Sequence, residues 1–239
     1  FLSPETGIGS TFFIRKQAEP AYKLERFGVQ VYLQRFAKFN INWGLTYAFE
    51  NVNLDLKSIA DAPPNADLAR LYNKSGLLLN ISRNTTDDIF SPHRGVNHSL
   101  SIKANTIGPN DYRYSKWMFD FRTYTSALGN VFAMRLKGGI IKPLETDGFI
   151  PVEDRFFSGG ANSIRGWGRH ELGPADAQNQ PRGGRYLLET AVEVRTPIYK
   201  IFQSAIFWDV GNVWQDEPKK FYANLEHAVG IGLRFKTPV

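Results

Sequence analysis

The chain has 239 residues and a formal net charge of +6. Aromatic residues make up 14% of it although only 42% of the residues are hydrophobic, a combination that favours strands with one apolar and one polar face. It contains no cysteine, which excludes disulfides and thiolate metal sites, and no apolar run approaches the roughly 18 residues that a helical membrane span needs.

Apolar and polar residues alternate with a period of two through most of the chain. The alternation is clearest in Arg26–Phe36, Asn40–Glu50 and Asn130–Lys137. It places one set of side chains on an apolar face and the other on a polar face of a strand. Ten strands and no helix are predicted in this way: Ile8–Arg15, Arg26–Phe36, Asn40–Glu50, Gly76–Arg83, Val96–Asn105, Lys116–Thr125, Asn130–Lys137, Tyr186–Thr196, Phe202–Trp214 and Val229–Lys236.

Short and long connections alternate along this series of strands. The tight ones lie near Ala37–Lys38, Leu128–Gly129 and Tyr199–Lys200. The long ones are Asn53–Arg70, Lys142–Gly184 and Gln215–Asn224. Two connections depart from this rule, since Asn84–Gly95 is longer and Gly108–Asp111 is shorter than its position predicts. Successive turns of an up-and-down sheet lie at opposite ends, so we predict one rim of short turns and one of long loops, as in outer-membrane barrels.

Strand length and inward-facing charges separate a membrane barrel from the alternative, a soluble antiparallel barrel or sandwich. Strands of roughly ten to thirteen residues suit a tilted membrane crossing better than the usual five or six of soluble sheets. Charges are almost never fully buried without partners, so a charged inner face indicates a wet lumen. The charged set is Lys103, Asp120, Arg122, Arg135, Lys137, Glu189, Glu193, Arg195, Asp209 and Arg234. The set predicted to face lipid is Phe27, Val29, Trp43, Phe132, Leu136, Ile231 and Phe235. We therefore predict an all-β fold, an antiparallel transmembrane β-barrel.

One stretch inside the longest connection is unusually rich in glycine. Arg155–Pro174 reads RFFSGGANSIRGWGRHELGP and lies in a connection of about forty residues. Its glycines allow tight backbone turns, and its two phenylalanines could be buried. By itself the stretch is also compatible with a solvated surface loop. A phosphate-binding loop is disfavoured, because no lysine followed by Ser or Thr occupies the required position.

Part of this stretch resembles a known family signature. Phe156–Trp167, with its core of Ile164, Arg165, Gly166 and Trp167 behind the pair Gly159 and Gly160, resembles the sixth outer loop of the outer-membrane assembly barrels, the BamA/TamA superfamily. Trp167 stands where Phe or Tyr is more usual. Four further stretches agree with the family in the same order, and the match is slightly closer to TamA-like members. They are Thr85–Gly95, Leu187–Pro197, Phe207–Trp214 and Gly230–Val239.

The resemblance implies a sixteen-stranded barrel behind periplasmic POTRA domains. Residues 1–239 would then be a partial barrel domain, lacking a few strands at its start and two at its end. The long outer loop, residues 143–184, would fold into the lumen. There Arg165 would meet Glu193 and Asp209, both of which the alternation places on the polar face. No carboxylate partner is apparent in the sequence for Arg169, in the same loop.

The function implied is assembly or translocation, without enzymatic activity. Such a barrel inserts or exports client proteins at a lateral seam of the bacterial outer membrane. Its partners would be outer-membrane lipids, client β-barrel or secreted proteins, and periplasmic or lipoprotein accessory subunits. Two alternatives stay open at this stage. They are the membrane half of a patatin-like phospholipase, which would need an upstream Gly-Xaa-Ser-Xaa-Gly domain, and a plain diffusion porin.

The residues that could carry catalysis are scattered. The four histidines, His93, His98, His170 and His227, lack metal-ligand spacing, and no cofactor is predicted. Ser158 and Ser163 lie in no nucleophile elbow. The basic residues form no helix or aromatic platform suited to nucleic acid, so no nucleic-acid partner is predicted.

Overall fold

The computed structural model describes residues 5–20, 22–56, 69–145, 148–199, 201–218 and 224–235. These residues form ten strands and two single-turn 3-10 helices, Lys38–Asn40 and Val152–Asp154. The strands are β1 (Thr6–Ala18), β2 (Tyr22–Ala37), β3 (Ile41–Leu56), β4 (Ala69–Asn84), β5 (Gly95–Asn105), β6 (Tyr114–Ala127), β7 (Asn130–Pro143), β8 (Tyr186–Tyr199), β9 (Phe202–Trp214) and β10 (Glu226–Phe235). Within the described ranges, no helix has the length and apolarity to cross a membrane.

All ten strands belong to one antiparallel sheet, and each pairs with its neighbours in the chain. The all-β, antiparallel prediction is therefore confirmed. In the described part of the chain β1 and β10 do not pair with each other, so the sheet is open. All three connections predicted to be long are only partly described, because residues 57–68, 146–147 and 219–223 lie outside the described residues. Lys200, in the short turn after β8, and Lys236, at the predicted end of β10, lie outside them as well.

The two faces of the sheet differ as the alternation predicts. Arg135, Ala191 and Asp209 lie opposite one another in β7, β8 and β9, and therefore share one face. Residues 148–185, here called the inner segment, lie against this face, which we call the inner face. The apolar set predicted for the other face lies there: Phe27, Val29, Trp43, Phe132, Leu136, Ile231 and Phe235. Of these, Ile231 is 85% exposed.

The short connection between β5 and β6 has a structural role. Strand β5 ends beside Leu77, so the earlier part of β4 has no strand partner on that side. The connection takes its place: the Asn110 side chain accepts a hydrogen bond from the Ser75 backbone N–H at 2.7 Å. Asp111 accepts one from the Asn73 N–H, also at 2.7 Å. The Asn73 carbonyl in turn accepts from the Asp111 backbone N–H at 3.2 Å, so this stretch of the strand edge is satisfied by the connection instead of a neighbouring strand.

The longer turn before β5 is organised by its aspartates. The Asp87 carboxylate accepts hydrogen bonds from the backbone N–H groups of His93 at 2.8 Å and Arg94 at 3.1 Å. These two bonds lower the pKa of Asp87. Asp88 accepts bonds from Phe90 and Ser91 in the same way. Hydrogen bonds from backbone N–H groups to these two carboxylates therefore define the conformation of the turn, which lies at the rim of short connections.

The hydrophobic core lies between the inner segment and the inner face, toward the rim of long loops. Ile150, Val152 and Phe156 of the inner segment are buried there. The sheet contributes Tyr22, Leu24, Val52, Leu54, Leu56, Tyr72, Tyr114, Ile141, Leu187 and Val213. Gly139 is required by this packing, since a Cβ there would lie 2.3 Å from Cζ of Phe156. The core therefore depends on a segment that is not part of the sheet.

Candidate functional site

The inner segment is folded back on itself. Phe156 pairs with Gly184 and Ser158 with Leu172, which brings its two arms together. At its tip, Gly159, Gly160 and Gly166 have φ angles of +99°, +100° and +89°, which L side chains rarely adopt. The glycines noted in the sequence thus form the turns that present residues 161–167 to the sheet.

Arg165 lies at this tip with its guanidinium against β8 and β9. Its Nε and Nη2 donate to the two carboxylate oxygens of Asp209, each at 2.7 Å. Its Nη1 donates to Oε2 of Glu193 at 2.6 Å, and its backbone N–H also donates to Asp209. The guanidinium lies 3.4 Å from the centre of the Phe207 ring. The structure thus brings together the three charged residues that the sequence singled out.

The carboxylates around Arg165 stabilise its protonated form. Partial burial would lower the pKa of Arg165, but the hydrogen bonds to Asp209 and Glu193 outweigh burial and raise it. Asp209 is fully buried, so its carboxylate depends on the fork that Arg165 supplies. Glu193 is paired with two further cations. Its Oε1 accepts hydrogen bonds from Arg195 at 2.8 Å and from Arg234 at 2.7 Å.

The other residues of the predicted motif hold the tip in place by packing. Ile164 is buried against Gly211 of β9. A Cβ added to Gly211 would lie 3.1 Å from Cδ1 of Ile164, so the two residues are closely packed. The carbonyl of Trp167 accepts a hydrogen bond from the Gly160 N–H at 3.0 Å. The Trp167 side chain remains 37% exposed.

Two serines of the tip share one buried carboxylate. Glu189 on β8 accepts a hydrogen bond from Ser158 at 2.8 Å and from Ser163 at 2.5 Å, both through Oε1. Its Oε2 accepts from Lys137 at 3.2 Å. These hydroxyls donate to a carboxylate that is itself paired, which gives them a structural role. The sequence placed Glu189 on the inner face without identifying these partners.

A second ionic cluster, which the sequence analysis missed, holds the base of the inner segment. The Asp154 carboxylate accepts from Lys74 at 2.6 Å and Lys103 at 3.1 Å, and from the Tyr114 hydroxyl. Lys116 donates to the Asp154 carbonyl at 2.6 Å. Burial would raise the pKa of Asp154, but the three lysines outweigh burial and hold it well below its usual value.

The expectation that Arg169 has no carboxylate partner is wrong. Its Nη2 lies 2.8 Å from Oε1 of Glu19, a buried residue in the turn between β1 and β2. His170 is next to this pair, with its Nδ1 3.6 Å from Oε2 of Glu19. The sequence could not reveal the pair, because Glu19 is 150 residues away and follows the strand with the weakest alternation.

The described residues contain no group of three or more histidine, aspartate or glutamate side chains that could hold a metal ion. His93 lies near Asp87, with 3.6 Å between its Nδ1 and the carboxylate. His170 stacks on the Phe157 ring. His227 stacks on Trp208 on the outer face.

A ten-stranded antiparallel sheet with an apolar outer face, a charged inner face and a long inner segment defines a membrane β-barrel protein. The whole chain, residues 1–239, matches the family model described as the Omp85 superfamily domain. The chain therefore belongs to the Omp85 superfamily. The predicted resemblance to the BamA/TamA barrels is confirmed at the level of the superfamily, and the closeness to TamA-like members stays a prediction.

Two curated relatives share about a quarter of their aligned residues with the chain. The outer membrane protein assembly factor BamA of Nitratidesulfovibrio vulgaris (strain Hildenborough) is 27% identical over 173 residues, which is 66% of this chain and 21% of the relative. The mouse (Mus musculus) sorting and assembly machinery component 50 homolog is 26% identical over 132 residues, or 51% of this chain and 28% of the relative. The aligned part of the chain thus spans between a fifth and three tenths of these relatives.

The fold is also found among solved structures. The crystal structure of BamA from Haemophilus ducreyi lacking POTRA domains 1–3 superposes with a TM-score of 0.80 at 17% sequence identity. The match covers 98% of this chain and 53% of that one. The predicted barrel fold is confirmed, and with family membership the chain is an integral outer-membrane protein.

Proposed function

We propose that this chain is the barrel part of an assembly protein that helps to insert or export client proteins at the bacterial outer membrane. The observation that carries the proposal is the contact of Arg165 with Asp209 and Glu193 at the tip of the inner segment. Membership in the Omp85 superfamily and the assembly factors among the relatives support it. The role is non-enzymatic.

The inner segment, which makes up most of the predicted long outer loop of residues 143–184, would act as a brace inside the barrel. Three groups of contacts support this role. Arg165 contacts β8 and β9, Asp154 contacts Lys74 on β4 and Lys103 on β5, and Arg169 contacts the turn between β1 and β2. A segment fastened to both halves of the sheet would set its curvature, so that client strands meet a defined edge.

The seam would work by strand pairing. An unpaired strand edge presents N–H and C=O groups that template another strand. The barrel edges would receive client β-strands in this way while the inner segment keeps the rest of the sheet fixed. The partners proposed are client β-barrel or secreted proteins, outer-membrane lipids, and periplasmic or lipoprotein accessory subunits. A plain diffusion porin gains no support, since the inner segment lies against the inner face that would line its channel.

The test is complementation in cells depleted of the native protein. Cells carrying the full-length protein with Arg165→Ala should contain less client protein in the outer membrane than cells carrying the wild type. Arg94→Ala is the matched control, because Arg94 is an exposed arginine at the rim of short turns. Equal client levels for Arg165→Ala and Arg94→Ala, with equal amounts of the two variants in the membrane, would contradict the proposal.

A further inference from the structure

A cavity of about 490 Å³ opens on the inner face near the rim of short turns. It lies between the turn of residues 86–92, the tip of the inner segment and residues of β5, β6, β7, β8 and β10. Five arginines line it: Arg122, Arg135, Arg165, Arg195 and Arg234. The assembly role proposed above does not require a cavity with this lining.

The cavity holds more positive than negative charge. Its arginines are paired with three carboxylates, Asp120, Glu193 and Asp209. Arg135 also lies 3.9 Å from Glu189, but Glu189 is balanced by Lys137 at 3.2 Å and does not change the total. Asp120 accepts two hydrogen bonds from Arg122 and two from Arg135. Glu193 and Asp209 are shared among the other three arginines, as described above. Five guanidinium groups and three carboxylates leave an excess of two positive charges.

Some guanidinium donors still face the cavity. Arg135 uses all three of its nitrogens, with Nη1 donating to the carbonyl of Asn162 at 2.8 Å. Arg122 bonds to the Tyr124 hydroxyl as well as to Asp120, whereas Nη2 of Arg234 has no hydrogen-bond acceptor within the described ranges. Their side chains are 41% and 38% exposed, so a soluble molecule can reach them. The excess charge therefore coincides with accessible donors.

We propose that this cavity binds a small soluble oxyanion, a phosphate or a polycarboxylate. The planar guanidinium fork matches oxygens of that geometry, and partial exclusion of bulk water strengthens the attraction. A lipid headgroup offers the same phosphate chemistry, but the cavity opens on the inner face, away from the apolar outer face. The soluble source is therefore favoured.

The test is calorimetric titration of inorganic phosphate into the full-length protein in phosphatidylcholine nanodiscs, with chloride used to keep the ionic strength constant. The wild type should bind phosphate at one saturable site. Arg234→Gln should weaken binding about tenfold, which corresponds to the loss of one charge-assisted hydrogen bond. Arg94→Gln, at the same rim but outside the cavity, should bind like the wild type.

Heat-modifiable mobility on gels shows whether each variant is folded before it is titrated. If Arg234→Gln does not fold, Arg122→Gln replaces it, with weaker binding expected because it removes one of the five cations. The proposal is overturned if the wild type shows no saturable binding or if the folded variant binds as tightly as the wild type. It is also overturned if a bound anion is detected only in discs that contain phosphatidylglycerol, since the source would then be lipid.

Discussion

The ion pair of Arg165 and Asp209 can be tested by a double-mutant cycle. Among the described residues, Arg165→Ala leaves the fully buried Asp209 carboxylate with no cation, whereas Glu193 keeps Arg195 and Arg234. Breaking a buried pair from one side costs roughly 3–5 kcal/mol, mostly because a charge stays buried without a partner. We therefore expect Arg165→Ala to lower the free energy of unfolding by an amount in this range.

Asp209→Asn has a smaller expected effect for the same reason. It removes the buried charge, and the amide oxygen still accepts one hydrogen bond from Arg165, which also keeps its bond to Glu193 at 2.6 Å. In the double variant Arg165→Ala/Asp209→Asn neither charge is left unpaired. The double variant should therefore be more stable than Arg165→Ala alone, with a coupling free energy of about 2 kcal/mol.

The assay is urea unfolding of the full-length protein in lipid vesicles, followed by heat-modifiable mobility and by tryptophan fluorescence. The four proteins of the cycle are compared at one lipid composition, since membrane thickness also changes the stability of a barrel. A coupling free energy under about 0.5 kcal/mol would mean that the two residues act independently. That result would refute the claim that Asp209 depends on Arg165.

Three further predictions concern the other contacts of the sheet. The pKa of Asp154 is lowered in the folded protein, so its carboxylate contributes stability above the unfolded pKa and this stability is lost as the pH falls. The wild type should therefore lose stability below about pH 4. Asp154→Asn should be less stable at pH 7, but its free energy of unfolding, measured in urea from pH 7 to pH 3, should change less with pH. Arg169→Ala should cost about 1 kcal/mol or less, well below Arg165→Ala, because the Arg169 side chain is 69% exposed and the buried Glu19 keeps its hydrogen bond from Gln17 at 2.7 Å; equal losses in urea unfolding would contradict this. A cysteine at Leu136 should react with a lipid-soluble maleimide and one at Arg135 with a water-soluble one, and equal labelling of both by either reagent would contradict the assigned faces.

The faces of the strands could be predicted from the sequence, but their full lengths could not. Strand β4 was predicted to begin at Gly76 and begins at Ala69. Its outward positions before Gly76 include Asn73 and Ser75, which bond to the connection of β5 and β6. These outward positions face polar groups of the connection instead of lipid, so they need not be apolar. The alternation of apolar and polar residues that identifies a membrane strand is therefore lost before Gly76.

The site was predictable to the extent that it depends on local pattern and resemblance. Alternation places Glu193 and Asp209 on one face, and the loop motif identifies Arg165. The contacts of Asp154 and Arg169 depend on the register between strands that are far apart in the sequence. A period of two shows which face of a strand a residue lies on, but it does not show which residues of other strands lie beside it. Glu19 and Lys74 therefore became identifiable as partners only when the register was known.

Insertion of a client by the purified protein tests the assembly role most directly. The full-length protein is reconstituted in vesicles, an unfolded client β-barrel is added, and its insertion is followed by heat-modifiable mobility and protease protection. Vesicles with the wild type should insert the client faster than empty vesicles, and vesicles with Arg165→Ala should show a clearly reduced rate while Arg94→Ala keeps the wild-type rate. If the wild type inserts the client no faster than empty vesicles do, this chain is not the barrel of an assembly protein.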